Sequence, residues 1–268
     1  MTQNINTSSP SDNSEQPPQP VQVAQPAKSA KTKPQKNLYK PYLMPMALWQ
    51  VLRWVVRIIV AIVLDVHVVG RQNVPAHGAV IIASNHLSWT DVPLIPAFVK
   101  RKIVYMAKEE AFQSKIGWLV RFLGAFPVKR GEADRQSIRA ADELLKAGQI
   151  LGMFPEGTRS KIHQLGKAHA GLGMVALRSG VPVVPVAIWG SENAFKKFRP
   201  RVTITIGEPM LLKPKGKKIT REDIDEATDQ VMQRIASMLP PEYRGVYAHE
   251  LPKPEATESH QDTNIKNE

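Results

Sequence analysis

His86 and Asp91 stand five positions apart in Ser84-Asn85-His86-Leu87-Ser88-Trp89-Thr90-Asp91. On a regular helix that spacing turns through about 140°, so the two side chains cannot share a helix face. A chain that turns between them, as Ser, Thr and Asn allow, can bring the carboxylate back onto the imidazole. A carboxylate on one ring nitrogen fixes the tautomer and frees the other nitrogen as a general base. Neither residue is a nucleophile, and the chain contains no Gly-x-Ser-x-Gly elbow. Such a pair would deprotonate a substrate hydroxyl, which then attacks directly. The competing reading is a hydrogen-bonded loop histidine beside an Asp that only starts a helix. A second group is Phe154-Pro155-Glu156-Gly157-Thr158-Arg159-Ser160. Glu156 can accept a substrate hydroxyl or steady a neighbour, and Gly157 lets backbone approach a ligand closely. Thr158, Arg159 and Ser160 offer hydroxyls, a guanidinium fork and backbone amides, a set suited to phosphate. Taken alone, the segment is equally an ordinary turn with a surface arginine. Lys167, after Gly166, is placed either to reach a phosphate or to sit in solvent at a helix start.

The elements that must position these groups alternate between strand and helix. Val80–Ala83, Ile103–Met106, Ile150–Phe154, Val183–Ile188 and Val202–Ile206 are short apolar runs that read as buried strands. Helices are expected from about Asp91, where Pro93 suits a first turn, and over 109–122, 133–147, 167–179 and 221–238. Gly148 and Gly180 are suited to closing two of them. This order predicts an α/β domain with a mostly parallel central sheet flanked by helices. Both candidate groups then lie immediately after strands, where α/β folds carry function.

The chain has 268 residues, 43% apolar and 22% charged, enough for one large core. With no cysteine, disulfides, thiolate nucleophiles and cysteine-ligated metals are excluded. His67, His77, His163 and His169 show no metal-ligand spacing with carboxylates, and no metal is expected. Residues 1–40 form a polar, Pro-rich tail and 250–268 a polar one, both expected to be disordered. The formal charge is +12, and residues 41–249 account for all of it because the tails carry +3 and −3. An anionic partner is implied: nucleic acid, a membrane surface or a phosphorylated small molecule. Residues 41–69 are strongly apolar, with Gln50, Arg53 and Arg57 on one helical face. A membrane-associating helix in the interface plane would hold its arginines at headgroup level, with Trp49 and Trp54 beside them. A buried helix with its arginines in solvent has the same pattern. Lys196, Lys197, Arg199 and Arg201 are available to donor phosphates, to a bilayer or simply to water.

His-x4-Asp followed by Phe-Pro-Glu-Gly-Thr-Arg-Ser resembles the 1-acyl-sn-glycerol-3-phosphate acyltransferase (lysophosphatidate acyltransferase) family of glycerolipid acyltransferases. Gly124-Ala125-Phe126-Pro127-Val128-Lys129-Arg130 and Val181–Ile188 are similar to two further family blocks, in the family's order. Lys129 stands where an Asp is common before the Arg. The resemblance covers about residues 65–210. It implies His86 as general base, Asp91 as its orienting partner, and an acceptor site formed with Glu156, Gly157 and Arg159, Arg130 joining Arg159 on the phosphate. Thr158 and Lys167 complete the expected substrate-binding set.

The expected reaction moves a fatty acyl group from acyl-CoA or acyl carrier protein to lysophosphatidic acid, with no cofactor. Domains are expected at 41–69 (membrane-associating) and 70–249 (catalytic). The expected location is the cytoplasmic face of the cell membrane, in a monotopic or peripheral arrangement. Glycerol 3-phosphate or another lysophospholipid is the alternative acceptor. A thioesterase has no need of two phosphate-oriented arginines. A non-catalytic lipid-binding scaffold does not require His86, Asp91 and Glu156 together. Nucleic-acid binding lacks zinc spacing, an aromatic RNA-binding block or a helix-turn-helix signal.

Overall fold

The computed structural model describes residues 45–249, apart from 116, 123–124, 129–134 and 195. Both expected tails lie outside the described residues. Seven strands are described: β1 (Asp65–Val69), β2 (Val80–Ser84), β3 (Ile103–Lys108), β4 (Phe126–Val128), β5 (Ile150–Met153), β6 (Val183–Trp189) and β7 (Arg201–Ile206). They form one sheet in the order β1-β7-β6-β2-β5-β3-β4. The five strands from β6 to β4 are mutually parallel. β7 runs antiparallel to β6, and β1 is parallel to β7, so this edge pair opposes the other five. β6 and β7 are joined by a loop and one 3-10 turn, Ser191–Asn193. A return without a crossover helix gives an antiparallel pair.

β2 and β5 are buried along their whole length and β6 over all but its last residue. Such strands read as unbroken apolar runs because helices cover both faces. Alternate side chains divide between two cores. Val80 and Ile82 pack with Leu94 and Ile95 of α2 (Asp91–Phe98) and Val60 of α1 (Met46–Val63). Ile81 and Ala83 pack with Leu144 of α5 (Arg135–Lys146), Leu172 of α6 (Gly171–Ser179) and Val231 of α7 (Arg221–Met238). Thr220 caps α7 by accepting from the Asp223 amide at 3.2 Å while its own amide donates to the Asp223 carboxylate at 2.9 Å.

Three expectations need correction. The helix expected over 109–122 is two, α3 (Glu109–Gln113) and α4 (Gly117–Phe122). The chain turns back so tightly at Gly117 that a Cβ there would collide with the Phe112 carbonyl. The helix expected from 167 begins at Gly171, because the residues before it bond to the loop after β5. Residues 65–69, expected within the apolar helical segment, are edge strand β1 instead.

α1 is also oriented differently from either sequence reading. Arg53 donates to the Val99 carbonyl at the end of α2 (3.4 Å), and the Arg57 guanidinium lies over the rings of Trp54 and Phe98. Its arginine face therefore turns toward the domain, and Trp49 is buried there rather than lying at an interface. Val51, Trp54, Val55, Ile58, Ile59 and Ile62 form the exposed apolar face.

Candidate active site

β2 and β5 are adjacent and parallel with Ala83 opposite Met153, so His86 and Glu156 each leave the sheet three residues beyond a paired position. The two loops are then tied through His86. Its amide donates to Glu156 Oε1 at 3.0 Å, and its carbonyl accepts from the Ser160 amide at 2.8 Å. Glu156 Oε2 accepts from the Gly166 amide at 2.9 Å, and the His169 amide donates to the Pro155 carbonyl at 2.9 Å. Glu156 is 6% exposed with both oxygens engaged, so its carboxylate is a strut between three loop segments. Burial pushes its pKa up to about 7, against the lowering effect of the two amide bonds, with a smaller upward push from Asp91.

The turn expected after His86 is present. Asp91 opens α2 just after the N-cap Thr90, and its side chain reaches back rather than capping the helix. Asp91 Oδ2 accepts from His86 Nδ1 at 2.8 Å, from the Leu87 amide at 2.7 Å and from the Ser88 amide at 2.8 Å. Asp91 is fully buried, whereas the His86 side chain retains 12% exposure. An ionised carboxylate on Nδ1 makes that nitrogen the protonated one and leaves the Nε2 lone pair for a substrate proton. The Phe154 ring stacks on the imidazole at 4.1 Å, and Tyr105 stacks on Phe154 at 5.3 Å, so the ring plane is fixed as well. Burial, then the nearby Asp91 charge, raises the Tyr105 pKa, keeping its phenol neutral.

Gly157 takes a left-handed φ of 65°, which glycine adopts freely, and turns the chain after Glu156. Thr158 and Arg159 are exposed beyond it. The Arg159 guanidinium lies 4.3 Å from the centre of the Trp89 ring, three residues after His86. Lys167 is exposed beside Gly166. Arg130, with Gly124 and Lys129, lies outside the described residues. His86, Asp91, Glu156, Gly157 and Arg159 are thus gathered on two interlocked loops, with Lys167 on the segment that Glu156 holds.

Sequence reasoning gave no role to Trp89, Phe154, Asn85 or Tyr105. Asn85 is buried, and its amide both donates to the Ile188 carbonyl and accepts from the Ile188 amide, each at 2.8 Å, bracing the His86 loop against β6. An amide directly after a buried strand was a usable signal for this bracing. The two aromatic stacks had none.

A base held by a buried carboxylate beside an exposed guanidinium can activate a hydroxyl on an anionic molecule. Among known proteins, residues 65–189 match the Acyltransferase family model. The 1-acyl-sn-glycerol-3-phosphate acyltransferase of Bacillus subtilis (strain 168) is 34% identical over 176 residues, 65% of this chain and 87% of that protein. The chain belongs to the acyltransferase family and is an O-acyltransferase. A lyso-ornithine lipid O-acyltransferase of Pseudomonas aeruginosa is 35% identical over 137 residues, 50% of this chain and 51% of that protein. The crystal structure of the 1-acyl-sn-glycerophosphate acyltransferase PlsC from Thermotoga maritima superposes with a TM-score of 0.56 at 29% identity. It covers 71% of this chain and 80% of that one.

Proposed function

We propose that this enzyme acylates the free hydroxyl of lysophosphatidic acid with the acyl group of a thioester, acyl-CoA or acyl carrier protein, giving phosphatidic acid. The observation that carries this reading is the His86–Asp91 pair on the same interlocked loops as Arg159. His86 Nε2 takes the proton of the acceptor hydroxyl as its oxygen attacks the thioester carbonyl. Collapse of the tetrahedral species breaks the carbon–sulfur bond, and the imidazolium returns the proton to the departing thiolate. Asp91 holds the ring and stabilises its positive charge. Arg159 receives the acceptor phosphate with Thr158, Lys167, Arg130 and the backbone at Gly157. Glu156 serves as a positioning residue that keeps the two loops in register. No cofactor enters this scheme.

The exposed apolar face of α1 supports work at a membrane. α1 is 18 residues long with mean hydropathy 1.8, long and apolar enough by length and composition to cross a bilayer. Its other face packs along α2, so a monotopic arrangement in the interface plane fits better than a span. With soluble thioester donors, the cytoplasmic face of the cell membrane is the proposed location. The lyso-ornithine lipid relative favours one alternative acceptor.

The test is thiol release from acyl-CoA and acyl carrier protein in mixed micelles. Lysophosphatidic acid, glycerol 3-phosphate and lyso-ornithine lipid are compared as acceptors, with His86→Ala alongside. Release should require lysophosphatidic acid and fall about 10²-fold or more in the variant. Acceptor-independent release, or full activity of His86→Ala, would overturn the reading.

A further inference from the structure

The loop between β6 and β7 carries Lys196, Lys197, Phe198, Arg199 and Arg201, and residues 193–207 contain no acidic residue. Phe198 is 88% exposed at its tip. Lys196, Lys197 and Arg199 are exposed too, and none has an ion-pair partner among the described residues. The backbone beneath is ordered by hydrogen bonds: the Lys196 and Lys197 amides both donate to the Asn193 carbonyl, at 2.9 and 3.4 Å. Arg199 takes a φ of 48°, a left-handed conformation that strains a non-glycine residue. A bare phenylalanine on this strained stretch, whose charged residues from Lys196 to Arg201 are all basic, gains nothing from folding in water.

Its position gives it a use. The Pro200 carbonyl accepts from the Asp65 amide at 3.1 Å, and the Arg201 side chain pairs with Asp65 at 3.2 Å. Asp65 follows the last residue of α1 by two positions, so the loop lies where the exposed stripe of α1 ends at Val63. It also follows β6, which is parallel to β2, and so stands at the sheet end from which His86 projects.

We propose that Lys196–Arg199 is a second membrane contact. Phe198 enters the headgroup boundary of an anionic bilayer while Lys196, Lys197 and Arg199 bind lipid phosphates. α1 alone would hold the domain to the bilayer along a single line; a second contact beside its end limits tilting about that line and turns the His86 end of the sheet toward the lipid. This rests on the reading that α1 lies on the membrane. An acidic protein surface would satisfy the three charges but would leave Phe198 and the adjoining stripe of α1 without a shared apolar neighbour.

The experiment is co-sedimentation of the full chain with vesicles of phosphatidylcholine, alone or mixed with phosphatidylglycerol. Each basic residue near an anionic surface strengthens binding about fivefold. The triple variant Lys196→Gln, Lys197→Gln, Arg199→Gln should therefore bind the mixed vesicles about 100-fold more weakly and the neutral ones as wild type does. Phe198→Ala should weaken both by about tenfold. Turnover of acyl-CoA in detergent micelles should be unchanged in these variants. Wild-type vesicle binding by both the triple and Phe198→Ala variants would overturn the proposal and leave α1 as the contact. A raised KM for acyl-CoA in micelles would instead make the loop a donor-phosphate site. Loss confined to turnover of acyl carrier protein would make it a protein dock, and either result overturns the membrane assignment. Ile58→Glu with Ile62→Glu tests α1 separately, since wild-type binding there removes the α1 reading whatever the loop does.

Discussion

Asp91→Asn isolates the charge behind the proposed base, because the side-chain shape is kept. Asp91 Oδ2 accepts three hydrogen bonds, and Oδ1 has no hydrogen-bond partner among the described residues. An asparagine can place its oxygen at the Oδ2 position, keep all three donors as neutral partners, and put its amide nitrogen where Oδ1 lies. The turn survives and the negative charge does not. When His86 takes the acceptor proton, its ring becomes a cation whose charge is centred about 4 Å from the carboxylate. At an effective dielectric of about 20 that attraction is about 4 kcal/mol, or about 10³ in rate. It exists in the transition state and not in the neutral ground state, so kcat should fall about 10³-fold while both KM values stay near wild type. Single-turnover thiol release with saturating lysophosphatidic acid measures this, with thermal unfolding to verify that the variant folds. A kcat within tenfold of wild type, or a loss confined to KM, would refute the charge argument.

Trp89→Ala frees the Arg159 guanidinium from its stacking surface, and the KM for lysophosphatidic acid should rise about tenfold with kcat little changed. Trp89→Phe should recover part of that loss, and an unchanged KM in the alanine variant would show that the stack does not order Arg159. Glu156 has a pKa raised from 4.5 to about 7, so its protonated form is favoured by folding. Its contribution to stability is full below about pH 4.5 and is lost as pH rises through about 7. Urea unfolding should show wild type losing up to about 3 kcal/mol relative to Glu156→Gln across that window; parallel profiles would contradict the raised pKa. Gly152→Ala would put a methyl 2.5 Å from the Tyr105 ring, which stacks on Phe154 and through it on His86. We expect a loss of about 1–3 kcal/mol with a lowered kcat, and wild-type thermal stability would mean that the ring moves aside freely.

The sequence by itself determined the fold class, the family and the local frame on which the candidate residues stand. The placement of His86, Asp91, Glu156 and Arg159 in the segments that follow β2 and β5 was legible because strand, turn and helix signals are short-range. The bounds of α7 were equally plain, since the Thr220 cap and an amphipathic stretch both lie inside its own segment. Tertiary structure decided which segments became neighbours. Glu156 reaches the His86 amide across 70 residues because β5 inserts beside β2 while β3 and β4 lie farther out. Strand order of that kind is set by burial shared across the whole sheet, and no window of sequence contains it. The stack of Trp89 on Arg159 and the reversal of β1 and β7 are long-range in the same way. On α1, periodicity separated an arginine face from an apolar face, but it could not say which turned inward. The Val99 carbonyl and the Phe98 ring supplied partners for Arg53 and Arg57 there, and the apolar stripe was left outside.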